Sequence, residues 1–397
     1  MSTKKRDGLT IIMLVVLVVC AFAAGYFIND VVSARDGSAH AQEEFDVFWE
    51  AWARIEDSFI GDLPEGRQRT YAALRGSIDT LNDPYTIFVE PVAREREREG
   101  LQGKFGGIGA YLRRLEDGGD LILEPIPGNP AEAAGILAGD VLQAVDGTPI
   151  TAEMTTADVR DLVTGETGTT VVLTILHPGE SEAVEIAVVR ADILLPSVSY
   201  RLLEEDPSIG YIRLSRFSAE SAGEIEDAIT DLQSLQSDKY ILDLRHNGGG
   251  LLNAAIGVAD HFLDGGPIAM QQSKDQGEHT FDATGTTLVP EAPLVVLVDG
   301  RSASASEIVA GALQDRERAL LVGNERTFGK GSVQLVIDLS DGSSVHVTSA
   351  RWFTPERTPL DGEGLEPDIV VELTQEAVDN GRDEVLDRAI RLLQEGS

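Results

Sequence analysis

Cysteine is the scarcest residue in the chain: there is one, Cys20, so no intrachain disulfide can form and no cysteine cluster can hold a metal. The six histidines are scattered, with no grouped His/Asp/Glu pattern, so the sequence points to no metal and no cofactor. Positive charge is also short, 32 Lys+Arg against 67 Asp+Glu, a formal net charge of -35. A surface that acidic repels phosphate backbones and argues against a nucleic-acid partner. The acids are spread along the chain rather than gathered into calcium loops. Lysine is rarer still, at positions 4, 5, 104, 239, 274 and 330 only. In an arginine-biased chain, a retained lysine asks for a task that a permanently charged guanidinium cannot perform. Disorder is excluded by the 42% of hydrophobic residues, and 397 residues suffice for two or three domains.

Lys4, Lys5 and Arg6 precede an uncharged run from Leu9 to Ile28, followed by Asn29 and Asp30. A helix of that length, at ~1.5 Å per residue, covers the ~30 Å hydrocarbon core. Residues 1–30 therefore read as a basic flank and a single-pass anchor, N-terminus in the cytoplasm and the remainder outside. The alternative is secretion after cleavage of a signal peptide, since Ala21-Phe-Ala23 and Ala39-His-Ala41 resemble cleavage sites. Cys20 has Val19 where a lipoprotein signal wants a small residue, and reads as an apolar residue of the anchor.

Residues 43–100 read as an N-terminal helical region. Phe45, Phe48, Trp49, Trp52, Ile55 and Phe59 recur at steps of three and four, the period of one packed helix face. The alternating charges of Arg94 to Glu99 read as a solvated helix or linker without chemistry. Residues 101–192 alternate short strand-like runs with turns and two short helices, near Ala131 to Ala134 and Thr156 to Val163, which predicts a compact β-rich module. Over 193–374 strands alternate with helices, ending in a hairpin around Asp341-Gly342. Residues 375–397 predict one amphipathic helix.

Three segments of that last domain concentrate small and polar residues at strand-to-helix junctions, where chemistry is usually mounted. In Ser302-Ala-Ser304-Ala-Ser306-Glu307, Ser304 has the spacing of a capping box, but a hydroxyl at a helix N-terminus also lies beside unpaired N–H groups that can hold an oxyanion. In Thr327-Phe-Gly-Lys330-Gly331-Ser-Val-Gln334, the lysine sits between glycines ahead of an apolar strand. A phosphate-binding loop is excluded there by spacing, since five residues separate Gly323 from Gly329 and Gly331 stands where Ser or Thr should bind magnesium. A desolvated Lys330 is instead a usable base near neutral pH. In Asp243-Leu-Arg-His246-Asn-Gly248-Gly-Gly250, three glycines offer backbone N–H groups to a developing negative charge. His246 leaves a Ser-His-Asp arrangement as an alternative.

These motifs together, with Gly103-Lys-Phe-Gly-Gly-Ile-Gly109, Gly139-Asp140-Val-Leu, Asp146-Gly147 and Arg351-Trp-Phe-Thr-Pro355, resemble those of bacterial carboxyl-terminal processing peptidases, from about Phe45 to about Val371. The resemblance implies a mixed α/β chain: a protease domain of crotonase-like ββα fold, with an inserted β-rich PDZ domain and a helical N-terminal region. It implies Ser304 as nucleophile, Lys330 as general base, Gln334 orienting the lysine, and Ser302 and Ser306 supporting the turn. The oxyanion hole would use the N–H of Ala305 with that of Gly249 first, Gly250 next, and Asp315 would be structural support. The PDZ loop Phe105, Gly106, Gly107, Ile108 and Gly109 would hold a substrate's C-terminal carboxylate, as such domains do when a tail adds to a sheet edge. The implied protein is an extracytoplasmic serine endopeptidase of the bacterial cytoplasmic membrane that cleaves proteins near their C-termini, with homo-oligomerisation left open. Two alternatives stand beside it. Gly323 to Thr327 is one residue longer than the family's usual form, which keeps Ser306 in contention. An inactive, membrane-tethered PDZ scaffold is the reading from another class.

Overall fold

The computed structural model describes residues 45–115, 119–274 and 276–395; the expected anchor at 9–28, with Cys20, lies outside them. Among the described residues no helix is long and apolar enough to cross a membrane. The chain divides into two compact units between Ala73 and Leu74.

In the first unit, α1 spans residues 45–58 and α2 begins at Gly66, running Gly66–Asp79. The helical pattern is interrupted between them, where Gly61 and Pro64 stop a helix. The aromatics of α1, expected to be a packed face, largely cover one another: Phe48 stacks on Trp52, and Phe45 and Trp49 stay 50% and 54% exposed. Arg69 lies over Trp52 at 4.8 Å and donates to Glu56, which also accepts from Trp52.

The second unit opens with β1 (Ile87–Val89), a strand within the stretch expected to be helical, followed by α3 (Pro91–Gln102). Pro91 starts α3 and Gly103, left-handed at φ 74°, ends it. β2 (Lys104–Gly107) then leads into the β-rich module: β3 (Ala110–Arg114), β4 (Leu121–Pro125), α4 (Pro130–Ala133), β5 (Asp140–Val145), β6 (Thr148–Pro149), α5 (Thr156–Val163), β7 (Thr170–Leu176), β8 (Val184–Val189) and β9 (Ala191–Leu194). The sheet order is β3-β4-β5-β7-β8, so among the described residues no strand pairs with the outer edge of β3. Its core includes Leu123, Leu142, Leu173 and Ile175 from the strands and Val159 and Val163 from α5. β2 and β9 pair antiparallel at the base of the module, and Leu195 N–H closes the ladder on Gly103 O at 2.7 Å.

The rest is a helix-covered sheet. β10 (Val198–Leu202) and β11 (Ile209–Leu214) are followed by α6 (Ser221–Ser234), β12 (Lys239–Asp243), α7 (Leu252–Asp260), the hairpin β13 (Gly266–Ser273) and β14 (Gly277–Ala283), β15 (Leu294–Val298), α8 (Ala305–Asp315) and β16 (Leu320–Gly323). β17 (Ser332–Asp338), β18 (Ser344–Phe353), β19 (Ile369–Val370), α9 (Gln375–Asp379) and α10 (Glu384–Glu395) complete it. One sheet runs β10-β11-β12-β15-β16-β19, parallel from β11 onward. Leu294-Val-Val-Leu-Val298 is apolar throughout because both faces are covered: Val296 and Val298 meet the core with α6, α7 and α8, while Val295 and Leu297 meet α10. A second sheet joins β18 with β1, β13 and β17. The tail forms two helices instead of one, because Gly381 at φ 65° ends the first, and Asp383 accepts the N–H of Leu386 to start the second.

Candidate active site

Parallel pairing explains why the three segments meet. Asp243 of β12 is in register with Leu297 of β15, and Val298 of β15 with Gly323 of β16, so the three loops that follow leave one edge of the sheet side by side. Gly248, Gly249, Gly250, Ser304, Ala305, Lys330 and Gln334 line a single cavity of about 420 Å³.

Of the three candidate serines, Ser304 alone opens onto it. Ser302 and Ser306 are fully buried and donate to backbone carbonyls, Ser302 Oγ to Leu244 O at 2.9 Å and Ser306 Oγ to Asn247 O at 2.8 Å. These bonds fasten the serine loop to the glycine turn and leave neither hydroxyl available. Ser304 stands at the head of α8 with φ 57°, a strained value for a residue with a Cβ and of the kind found at functional turns.

Glu307, in the first turn of α8 and fully buried, is the centre of the hydrogen bonding. Its Oε2 accepts the N–H of Ser304 at 2.8 Å and of Lys330 at 2.9 Å; its Oε1 accepts Gly329 N–H at 2.7 Å and Thr327 Oγ1 at 2.6 Å. A capping residue by spacing, Glu307 thus joins the serine loop to the lysine loop. The Lys330 amine lies 5.4 Å from the centre of the Tyr85 ring. Burial pulls its pKa below the ordinary lysine value, while the Glu97 and Glu307 carboxylates oppose that shift.

The glycine turn is pressed against the serine. A Cβ on Gly249, at φ 101°, would lie 2.8 Å from Ala303 O and 3.0 Å from Ala305 N. Gly249 N–H donates to the Asn247 side chain at 2.9 Å. The N–H groups of Gly250 and Ala305 have no partner among the described residues, which ranks Gly250 ahead of Gly249 as a donor toward the cavity. Gln334 reaches the cavity, but its Nε2 donates to Ser332 Oγ at 2.8 Å and not toward the lysine amine. A bulge between Val333 and Gln334 resets the face of β17, which the simple spacing from Lys330 did not anticipate. Asp315, at the end of α8, accepts Glu356 N–H at 2.8 Å.

His246 lies apart. It lines a different cavity of about 440 Å³ with Arg245, Asp299 and Asp383, and its Nδ1 meets the Asp299 carboxylate. The Ser-His-Asp alternative therefore lacks its serine. In the β-rich module, Phe105, Ile108 and Gly109 line a cleft of about 330 Å³ between β3 and α5, with Leu112 and Val163 among its apolar walls. Gly106 and Gly107 belong to β2, opposite Asp192 and Ala191 of β9, and do not line it.

Three residues at or beside this cavity carried no signal in sequence. Glu97 and His346 line it, and Tyr85 lies beneath the lysine. Glu97 belongs to the charged run expected to have no chemistry; only its contact with β18, distant in sequence, distinguishes it from its neighbours.

The model of peptidase family S41 matches residues 208–371, and that of a PDZ domain matches residues 121–176. The carboxy-terminal-processing protease of Bartonella bacilliformis is 36% identical over 362 residues, 88% of this chain and 82% of that one. The chloroplastic C-terminal processing peptidase of Tetradesmus obliquus is 35% identical over 337 residues, covering 81% and 72%. The solved photosystem II D1 C-terminal processing protease is 36% identical, with a TM-score of 0.46 over 81% of this chain and 86% of that one.

Proposed function

The chain belongs to peptidase family S41, the carboxyl-terminal-processing serine proteases, and from that premise we propose that Ser304 and Lys330 are its catalytic pair. The observation that carries this reading is the convergence of Ser304, Lys330 and the glycine turn on one cavity, with both loops hung on Glu307. The neutral Lys330 amine takes the proton of Ser304 Oγ as the oxygen attacks the scissile carbonyl carbon. The oxyanion that forms accepts from the N–H groups of Ala305 and Gly250, which are preorganised at a helix head and a tight turn. Collapse of the adduct breaks the C–N bond, the ammonium returns its proton to the leaving amine, and water releases the acyl group by the same route. With its Nε2 on Ser332 Oγ, Gln334 would serve the lysine through its carbonyl oxygen, which can accept from the ammonium.

In this reading the PDZ module supplies substrate choice. A C-terminal tail adds as a strand along the open edge of β3, its apolar end in the cleft beside α5. Leu9 to Ile28 anchors the enzyme in the bacterial cytoplasmic membrane with the catalytic part outside.

The test is cleavage of an unfolded reporter with an apolar C-terminus by wild type, Ser304→Ala and Lys330→Ala. Cleavage by wild type alone is expected. Equal cleavage by all three overturns the pair, and a wild type that binds the tail without cutting it marks a scaffold. Extraction of the full chain from membranes by alkaline carbonate would overturn the anchor.

A further inference from the structure

Helix α3 places two residues, Glu97 and Leu101, at the cavity that holds Ser304 and Lys330. Glu97 is held by one arginine and lies next to a buried imidazole. Arg94, one turn earlier, donates to Glu97 Oε2 at 3.1 Å and is itself held by Asp338 of β17 at 2.8 Å. The same Oε2 lies 3.2 Å from His346 Nε2, on β18, and His346 is 7% exposed within the cavity wall. The Glu97 side chain is 34% exposed, so its carboxylate is partly withdrawn from solvent, between a mostly covered Arg94 and a buried imidazole.

We propose that Glu97 is a positioning residue for Lys330: its carboxylate, held at the cavity wall by α3 and Arg94, shares that cavity with the amine and sets the pH at which the lysine becomes a base. This rests on the reading of Lys330 as general base. The groups that face the lysine are few. Glu97 comes from α3, Glu307 from α8, His346 from β18, and Tyr85 from the loop before β1, with Asp361 beside it. Glu307 is occupied by four donors, including the lysine's own N–H, and its role is to hold the backbone. Tyr85 offers a ring face, which stabilises a cation weakly. His346 is kept from protonating by burial, so it adds little positive charge near neutral pH. Glu97 is therefore the adjustable charge. Its favourable interaction with the ammonium opposes the desolvation that would release the proton, so the two effects act on the lysine with opposite sign.

The experiment is the pH dependence of kcat/KM for reporter cleavage by the full-length enzyme, compared among wild type, Glu97→Gln, Glu97→Asp and Lys330→Ala. Activity should rise with pH along a limb belonging to Lys330. Glu97→Gln should move that limb to lower pH by roughly half a unit to one unit, raising activity on its acid side about three- to tenfold. The change should fall mainly on kcat. Glu97→Asp keeps the charge and should leave the limb near its wild-type position. A Glu97→Gln enzyme whose activity falls equally at every pH, or whose limb stays in place, overturns the proposal. Full activity in Lys330→Ala instead overturns the general-base reading, which separates the two failures.

Discussion

Ser304 and Lys330 give their backbone N–H groups to the same atom, Glu307 Oε2, at 2.8 and 2.9 Å. Two loops that follow different strands are thus set against each other through one buried carboxylate. Without it, four donors inside the protein lose their acceptor at once. We expect Glu307→Ala to lower unfolding free energy by about 3 kcal/mol or more in a urea titration, with loss of reporter cleavage. Glu307→Gln can accept only on its carbonyl oxygen and should retain more stability than activity, since an error of ~1 Å between nucleophile and base costs on the order of 10²-fold in rate.

The three serines should separate cleanly in one assay. Ser304→Ala should leave cleavage at background with unchanged thermal stability, because its hydroxyl faces the cavity. Ser306→Ala should keep the nucleophile yet lose about 1 kcal/mol of stability, the net worth of its bond to Asn247 O. Should Ser306→Ala be the silent enzyme and Ser304→Ala the active one, the nucleophile is misassigned.

Gly249→Ala tests the packing of the glycine turn on the serine loop. A methyl group there meets Ala303 O at 2.8 Å in a backbone conformation that disfavours any side chain. Displacement of the turn should cut kcat by about 10²-fold, the scale of one lost oxyanion donor, while a tail peptide binds the Gly249→Ala/Ser304→Ala double variant as it binds Ser304→Ala. A kcat within twofold of wild type would dissociate this turn from catalysis.

His246→Ala should leave kcat/KM within about threefold of wild type across pH 6 to 9, because its side chain lies in the other cavity. A loss on the order of 10⁶-fold, the kind seen when a triad histidine is removed, would revive the histidine mechanism.

Acid should weaken the fold through His346. Burial holds its pKa below the ordinary value, so the unfolded chain binds the proton more readily. That contribution to stability is present above about pH 6.5 and is lost as pH falls toward the lower, folded value. His346→Phe should therefore show a shallower fall in Tm between pH 7 and pH 5 than wild type.

What the sequence made legible is local. The strand Leu294–Val298 and the helix Thr156–Val163 have the bounds that their patterns indicate, since each is set by its own apolar period and, for the helix, by a capping box at Thr155 and Asp158. Ser304, Lys330 and the glycine turn were visible because rare residues stand among small ones at strand ends. The hub between them was not: the spacing of Glu307 from Ser304 says helix cap, and nothing in sequence tells that loop 327–330 folds onto it. Glu97 was hidden for the same reason, as was the diversion of Gln334 by a bulge. Charge patterning identifies a solvated helix, but only tertiary contact reveals which one of its acids reaches the cavity.

The paired strands β2 and β9 have a consequence for how the chain tolerates change. The polypeptide departs at Gly103 and returns at Leu195, and those two residues are joined by a hydrogen bond of 2.7 Å. An insertion whose ends touch can be gained, lost or exchanged without stretching its host, since a short hairpin bridges the same gap. The ladder therefore acts as a clasp: residues 104–194 leave and re-enter the rest of the fold at a single point, so changes in length between those ends need not strain the sheets beyond them.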